Sequence, residues 1–179
     1  MKTLVITTFL AISMSHTAFA ADHIGERAHS VIINNQGQNI GQAHYTQGKD
    51  GVLVEIKLDG LPAGKHGMHF HEVGSCEDHD EFKMAKGHIM PTGKPHGYLH
   101  PEGPHEANLP NLIVSEDGAA HVELYTELVS VNGRGGKVAL LDDNGSVLMI
   151  HINEDDHTTQ PIGGAGARIA CGVIKAGKY

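Results

Sequence analysis

The sequence predicts an all-β fold, a sandwich or barrel that carries two long loops. Short apolar runs recur between turns that contain glycine, asparagine or aspartate, which is the pattern of strands joined by tight connections. The chain contains 23 glycines and no tryptophan, a composition that favours a turn-rich β protein over a helical bundle. No segment of the sequence repeats apolar residues at helical spacing with capping signals at its ends.

The predicted strands follow one another from residue 30 to near the C-terminus. The clearest is GVLVEIKLDG at 51–60, where apolar and more polar residues alternate so that one face is buried. The segment LPAGKHGMHFHEVG at 61–74 follows a turn. The segment KVALLDDNGSVLMIH at 137–151 predicts a β-hairpin, because Asn-Gly between two apolar runs is a strong hairpin signal. The remaining strand regions are SVIIN at 30–34, NLIVSEDGAAHVELYTELVSV at 111–131 and RIACGVI at 168–174.

Two long loops interrupt these strands, at 72–109 and 152–167. Both are rich in glycine and both adjoin histidines. Within the first, GHIMPTGKPHGYLHPEGPHEANLP at 87–110 contains four histidines among prolines and glycines, which exclude regular helix or strand. Because long loops without secondary structure are usually functional, we expect the site in these two loops.

The first 20 residues have the features of a secretory signal peptide. Lys2 precedes a largely apolar stretch at 4–12, and Ala18-Phe19-Ala20 forms an A-x-A cleavage site. The apolar stretch is too short to span a bilayer, which disfavours an uncleaved anchor. We therefore expect residues 1–20 to be removed and residues 21–179 to form one exported domain.

Charge and cysteine content limit the possible partners and the redox state. The formal net charge of −8 argues against nucleic acid or an anionic membrane as a partner. The two cysteines, Cys76 and Cys171, predict a disulfide in an exported protein, with two buried free thiols as the alternative. In the chain-entropy model, so long a closed loop stabilises the fold by up to about 4–5 kcal/mol.

Histidine spacing points to a metal site. His69 and His71 flank Phe70 in a predicted strand, so their imidazoles share one face. Alone this pair is a weak signal in a chain with 15 histidines. His151 ends a distant predicted strand and His88 opens the histidine-rich loop, so both could join the pair. Histidine-rich, sulfur-poor ligation in an oxidising compartment suits copper or zinc.

A family resemblance sharpens this prediction. The motifs HGMHFHEVGSC, GHIMP with two later histidines, VLMIH and GGAGARIACGVI occur in this order after the signal peptide. Together they resemble the copper/zinc superoxide dismutases in their bacterial exported form, over nearly all of residues 21–179. The resemblance implies an eight-stranded Greek-key sandwich, with one metal-binding and one electrostatic loop. It also implies copper and zinc cofactors, superoxide as substrate, a periplasmic location and a monomer or homodimer.

The resemblance also implies roles for individual residues. His88 would bridge copper to zinc and carry a proton during the reaction, and Arg168 would guide the superoxide anion. Asp155 would connect the histidines of the two metals from outside, as outer-shell acids do. Cys76 and Cys171 match the family's disulfide, and His66 matches a structural histidine. The implied copper ligands are His69, His71, His88 and His151, and the implied zinc histidines are His88, His96 and His105.

One position departs from the family. Three residues after His105, where the family has an aspartate as the fourth zinc ligand, this chain has Asn108. A neutral amide lacks the carboxylate charge and is a rarer ligand. We therefore expect a weakened zinc site, which His100, Glu102 or Glu106 could also help to complete. Two alternatives follow: a copper-only dismutase with an empty zinc site, and a non-catalytic periplasmic copper-binding protein on the same scaffold.

Overall fold

The computed structural model describes residues 24–178, which form twelve strands and two single-turn 3-10 helices. The signal-peptide prediction for residues 1–20 lies outside this part of the chain. Within residues 24–178, no helix is both long and apolar enough to cross a membrane. The strands are β1 (Arg27–Asn34), β2 (Asn39–Gln47), β3 (Val52–Leu58), β4 (Gly64–His66), β5 (Met68–His71), β6 (Leu112–Val114), β7 (Ala120–Thr126), β8 (Val129–Ser130), β9 (Val138–Ala139), β10 (Val147–His151), β11 (Arg168–Val173) and β12 (Lys175–Ala176).

Eight of the strands form one antiparallel sheet, in the order β5-β10-β11-β1-β2-β3-β7 with β12 paired to β1. The chain runs through β1, β2 and β3 as neighbours, whereas β10 and β11 return from late in the sequence to the other side of β1. Such a return is a feature of Greek-key sheets. The other four strands form the pairs β4–β6 and β8–β9. The predicted eight-stranded Greek-key architecture is therefore confirmed.

The sequence pattern predicts some strands better than others. In β3 the four apolar residues at alternate positions are buried, while Glu55 and Lys57 between them are exposed. β2 is a strand that the pattern does not reveal. Its buried Ala43 and Tyr45 stand among polar residues, and the register with β1 shifts next to Gly41. Pairing with β1 on one side and β3 on the other holds β2 in the sheet despite this weak pattern.

The predicted hairpin around Asn144-Gly145 is wrong. β9 pairs in parallel with β8, and β10 pairs with β5 on one side and β11 on the other. Because both edges of β10 are occupied, β9 cannot pair with it. The Asn-Gly segment still turns the chain, since Gly145 N–H donates to Asp142 O (3.2 Å). A second hydrogen bond, from Gly74 N–H to Asn144 O (2.9 Å), attaches this turn to the loop after β5.

The two long loops cover 72–111 and 152–167, close to the predicted bounds. The first contains the 3-10 turn Lys83–Ala85. The loops pack on each other, since the Gln160 side chain accepts from His96 N–H (2.9 Å) and donates to His96 O (2.8 Å). Gly97 allows this close approach, because its φ is +105° and a Cβ there would lie 2.0 Å from His157 O. The two loops therefore hold each other in place.

The Cys76–Cys171 disulfide is present, with Cα atoms 5.9 Å apart, which confirms the predicted pairing. It lies in a small buried cluster, separate from the main core of the sandwich, to which Phe82, Val147 and Met149 also belong. The bridge ties loop 72–111 to β11, the strand that begins at Arg168. It thereby fixes part of the first loop against the strand that carries the predicted substrate-guiding arginine.

Candidate metal centre

Strands β5 and β10 and the first long loop bring four histidines together. His69 and His71 are alternate residues of β5, and β10, which pairs with β5, ends in His151. His88, from loop 72–111, lies alongside β5 through a β-bridge to His71. One nitrogen of each ring lies within 4.8 Å of the others, and all four residues are buried. We refer to His69, His71, His88 and His151 as the four-histidine cluster.

Each ring of the four-histidine cluster has one nitrogen engaged and one free. His71 Nδ1–H donates to Lys86 O (2.9 Å), and His151 Nδ1–H donates to Gly166 O (2.9 Å). These hydrogen bonds fix the tautomers, so the opposite nitrogens carry lone pairs. No residue in the described range hydrogen-bonds to the four buried nitrogens left over, which are His69 Nδ1, His71 Nε2, His88 Nε2 and His151 Nε2. Four buried, convergent lone pairs without donors fit a metal ion.

Burial keeps the rings of this cluster neutral near physiological pH. Burial is the main cause that lowers the pKa of His69 and of His88. Burial also lowers the pKa of His151 to about 4 and that of His71 well below its usual value, and the positive charge of Arg168 contributes in both cases. Neutral imidazole is the form that binds a metal. The cluster is therefore prepared to act as a ligand set.

His88 also belongs to a second cluster. Its Nδ1 lies 3.1 Å from His105 Nε2, and His96 Nδ1 lies 3.4 Å from the same His105 nitrogen. Ligand atoms of a tetrahedral zinc ion with bonds of about 2.0–2.1 Å lie roughly 3.3 Å apart. The nitrogens of these residues therefore have the spacing of zinc ligands. We refer to His88, His96 and His105 as the three-histidine cluster, and His88 joins it to the four-histidine cluster.

Asn108 lies beside the three-histidine cluster, but its amide nitrogen is the atom that faces it. Asn108 Oδ1 accepts from Gly97 N–H (3.2 Å), and Asn108 Nδ2 lies 3.3 Å from His96 Nδ1. Rotating the amide by 180° would turn Oδ1 towards the cluster but would set Nδ2–H against the Gly97 N–H. An aspartate could satisfy both positions, because both of its oxygens are acceptors. Asn108 can satisfy only one.

Asp155 connects the two clusters from outside. Its Oδ2 accepts from His69 Nε2–H (2.8 Å) and its Oδ1 accepts from His96 Nε2–H (3.0 Å). Burial opposes ionisation of this carboxyl, but hydrogen bonds from both histidines and from His157 N–H outweigh it and hold the pKa of Asp155 well below its usual value. The carboxylate therefore orients one ring of each cluster while ionised.

Two residues that position Asp155 were not identified from the sequence. Asn111 Oδ1 accepts from Asp155 N–H and Asn111 Nδ2 donates to Asp155 O, both at 2.8 Å. Gly163 has a φ of +63°, and a Cβ there would lie 1.7 Å from Asp155 Oδ1. The Leu-Pro-Asn sequence before β6 signals only a turn, and a glycine in a glycine-rich loop carries no further information. The Asn111 contacts join residues 44 positions apart, whereas Gly163 and Asp155 lie in the same loop.

Arg168 is held beside the four-histidine cluster. It pairs with His151 in the β10–β11 register. Its Nη1 donates to Phe82 O and its Nη2 donates to Lys86 O, both at 2.6 Å. The Lys86 carbonyl is also the acceptor for His71, so one backbone group orients both a cluster histidine and the guanidinium. The result is a fixed, half-buried positive charge next to the cluster.

Two other histidines that the sequence analysis considered lie outside both clusters. His100 Nδ1 accepts from Glu102 N–H (3.2 Å), which is a local turn contact. The two ring nitrogens of His66 face His151 O and Pro62 O, each at 2.8 Å. His66 therefore contacts backbone on both sides, as expected of a structural histidine.

Comparisons with known proteins agree with this geometry. The sequence model of the family described as "Copper/zinc superoxide dismutase (SODC)" matches residues 39–174. A superoxide dismutase [Cu-Zn] from Caulobacter vibrioides is 47% identical over 149 residues, covering 83% of this chain and 85% of the relative. The crystal structure of a SOD-like protein from Bacillus subtilis is similar with a TM-score of 0.76 and 35% identity, covering 81% of this chain and 96% of that one. The Cu/Zn superoxide dismutase from Brucella abortus is similar with a TM-score of 0.66 and 27% identity, covering 84% and 100%.

Proposed function

Because this chain belongs to the copper/zinc superoxide dismutase family, we propose that its four-histidine cluster is the copper site and its three-histidine cluster the zinc site. The chain is a superoxide dismutase that converts superoxide to oxygen and hydrogen peroxide, with copper and zinc as cofactors. Copper, when bound, supplies the one-electron chemistry by alternating between Cu(II) and Cu(I). The observation that carries the assignment is the set of four buried ring nitrogens without a hydrogen-bond partner.

In this proposal His88 holds and releases a proton at Nε2. Its Nδ1 lies against His105 in the three-histidine cluster, which would keep the ring in place while Nε2 gains or loses the proton. Two superoxide ions and two protons give one molecule of oxygen and one of hydrogen peroxide. His88 Nε2 delivers one of these protons and water supplies the other. The position suits this role because Nε2 is buried and has no hydrogen-bond partner among residues 24–178.

Arg168 acts on the substrate in this proposal. The whole chain carries a formal net charge of −8, which repels a superoxide anion. A guanidinium held by two backbone carbonyls offers a local positive charge whose direction is fixed. Two of its N–H groups are used by these carbonyls, and the others remain to bind an anion next to the copper site. Arg168 thus attracts superoxide and positions it.

We infer that the protein acts in the periplasm, as a monomer or homodimer. The signal-like residues 1–20 support export, and the acidic composition supports the absence of nucleic acid or an anionic membrane as a partner. A non-catalytic copper-binding role on the same scaffold is less favoured. Such a protein would not need Arg168, and the matched relatives include proteins named as dismutases.

Metal analysis combined with a superoxide assay tests the proposal. Protein purified with both metals available should retain copper and accelerate superoxide removal far beyond free copper ions, whereas the metal-free protein should be inactive. Copper-loaded protein that is no faster than free copper would refute the enzymatic role. Activity that persists with no zinc bound would identify a copper-only dismutase.

A further inference from the structure

The two backbone carbonyls that hold Arg168 come from the two ends of one short turn in loop 72–111. Phe82 directly precedes the 3-10 turn Lys83–Ala85, and Lys86 directly follows it. Both residues have a positive φ, +50° for Phe82 and +60° for Lys86, which residues other than glycine seldom adopt. Such a backbone persists only where its surroundings hold it in place. The direction of both carbonyls therefore depends on the contacts that close this turn.

Asp78 closes the turn through three hydrogen bonds. Its carboxylate Oδ2 accepts from Lys83 N–H (2.5 Å) and its Oδ1 accepts from Met84 N–H (3.0 Å). Its backbone carbonyl accepts from Phe82 N–H (2.7 Å). The first N–H groups of a helical turn have no partner within the turn, so a carboxylate that accepts from them stabilises it. Asp78 thus fixes the end of the turn that presents the Phe82 carbonyl to Arg168.

Asn35 connects the same segment to the backbone of Arg168. It lies in the connection between β1 and β2, and its side-chain Nδ2 is 2.8 Å from His79 O and 3.2 Å from Asp80 O. The same nitrogen is 3.2 Å from Arg168 O. Because an amide nitrogen carries two hydrogens, it can donate to the turn and to Arg168 at once. One side chain therefore joins the backbone of Arg168 to the segment that supplies its carbonyl partners.

These contacts determine where the guanidinium points and leave its charge unchanged. The arginine side chain is long and has several rotatable bonds, so without fixed acceptors it samples many directions in solvent. Both of its acceptors lie 2.6 Å away, and both belong to the segment 78–86 that Asp78 and Asn35 hold. Loosening this segment would release the guanidinium from its position beside the four-histidine cluster. Asp78 and Asn35 themselves belong to neither histidine cluster.

We propose that Asp78 and Asn35 are positioning residues for the capture of superoxide, and that they act only through Arg168. The proposal rests on the anion-guiding role of Arg168 in the proposed function. Asp78 sets the carbonyls that orient the guanidinium, and Asn35 fastens that segment to the arginine backbone. Losing either side chain should leave copper and zinc bound, while the site binds anions less well. Because the positive charge itself stays, the effect should be smaller than that of losing Arg168.

The test uses Asp78→Ala and Asn35→Ala in protein loaded with copper and zinc. Glu77→Ala and Gln36→Ala are the matched controls, because they truncate exposed neighbours and Glu77→Ala removes the same charge as Asp78→Ala. Both test variants should lose kcat/KM for superoxide roughly threefold to tenfold, since the charge remains but its direction is no longer fixed. Azide, an anion that binds copper(II), should bind more weakly by a similar factor in a spectroscopic titration. Metal content should equal that of the parent, and the controls should match the parent in all three quantities.

Two further measurements separate positioning from a general role in folding. Phenylglyoxal labels free guanidinium groups, and mass spectrometry locates the label. Arg168 should be labelled faster in both test variants, whereas the exposed Arg27 of β1 should keep its rate as the internal reference. In an Arg168→Ile background, adding Asp78→Ala or Asn35→Ala should change kcat/KM by less than about twofold, because the residue they act through is absent. A general disturbance of the fold would lower the rate in both backgrounds.

Three results would each overturn the proposal: parental kcat/KM and azide affinity in both test variants, unchanged labelling of Arg168, or an equal loss of rate with and without the arginine. Should Asp78→Ala fail to fold or to hold copper, Asn35→Ala decides by the same measurements, since it leaves the hydrogen bonds of Asp78 intact.

Failure of the positioning role is distinguishable from failure of the proposed function. A parent protein no faster than free copper would refute dismutation itself and the positioning role that rests on it. An Arg168→Ile variant with parental kcat/KM would refute the anion-guiding role, and the positioning role with it. Loss of rate in Arg168→Ile, with parental values in Asp78→Ala and Asn35→Ala, would refute the positioning role alone.

Discussion

The four-histidine cluster and the three-histidine cluster share His88 but differ in how completely the protein builds them. In the first, every ring has one nitrogen engaged and one directed at the others, and strands β5 and β10 carry three of the four ligands. In the second, all three rings come from loop 72–111, and the neighbouring Asn108 offers a donor group where an acceptor is needed. Strands and backbone carbonyls thus position the rings of the four-histidine cluster. The three-histidine cluster depends on one loop and on the orientation of the Asn108 amide.

The difference shows how a site can change in one half without losing the other. Asn108 contacts His96 and Gly97, which lie on the side of His88 that faces the proposed zinc site. The copper-side rings depend on the carbonyls of Lys86 and Gly166 and on Asp155, none of which Asn108 touches through its side chain. A substitution at position 108 should therefore change the affinity for zinc more than the affinity for copper.

Removing one proposed ligand from each cluster in turn should give the largest difference in dismutation rate between two variants. His151→Ala should reduce dismutation by roughly 100-fold or more, because it leaves the copper site with three ligands. His105→Ala should reduce it by roughly tenfold or less, because the copper side stays complete. Steady-state superoxide assays with copper and zinc contents measured on the same samples check both values. Equal losses in the two variants would contradict the separation of the halves.

Asp155→Asn should affect both halves at once. An asparagine can accept from only one of His69 and His96, so one ring of the two clusters loses its partner. Metal affinity should fall roughly 10- to 100-fold, as is usual when an outer partner of a histidine ligand is lost. Chelator competition for copper and for zinc measures this. The neighbouring Asp156→Asn is the control, and a similar loss there would mean that the loop itself had been disturbed.

Arg168→Ile should weaken the attraction of superoxide to the proposed copper site without changing metal binding. We expect kcat/KM to fall roughly tenfold or more, with metal content unchanged, since a fixed charge at the site is lost. The rate should also become less sensitive to ionic strength, because screening has less attraction to remove. Lys57→Met, which removes an exposed charge on β3, serves as the control. An unchanged salt dependence in Arg168→Ile would show that the arginine does not steer superoxide.

Asn108→Asp should have the smallest effect and should be confined to zinc. Two acceptor oxygens allow one to bind Gly97 N–H while the other faces the cluster, so zinc affinity should rise roughly tenfold. Copper content should not change, and Asn39→Asp, at the exposed first residue of β2, should change neither metal. Unaltered zinc retention would show that position 108 does not limit the site.

The copper half was the more predictable from the sequence. His69 and His71 are two residues apart in a strand, a local pattern whose geometry follows from the pleat. Their convergence with His88 and His151 followed from resemblance to a family, and the structure brings all four together. The carbonyls of Lys86 and Gly166 could not be predicted, because every residue has the same carbonyl group and only the folded loop selects which ones face a ring.

Local signals failed where distant segments compete. Asn144-Gly145 forms a turn as the sequence indicates, but β5 and β11 take both edges of β10 and exclude the predicted hairpin. Asn111 escaped notice because its role depends on Asp155, 44 residues away, and Gly163 because only the folded loop shows how closely it approaches Asp155.

In the proposed assignment, the shared imidazole of His88 and the shared carboxylate of Asp155 would couple the two metal sites thermodynamically. Coupling between binding sites is reciprocal: the factor by which one ligand raises the affinity for another equals the factor in the reverse direction. An ion in the copper site that orders both shared side chains would therefore strengthen zinc binding to the same degree that zinc strengthens copper binding. Zinc occupancy in this protein should then depend on the copper supply of the cell compartment as well as on its zinc.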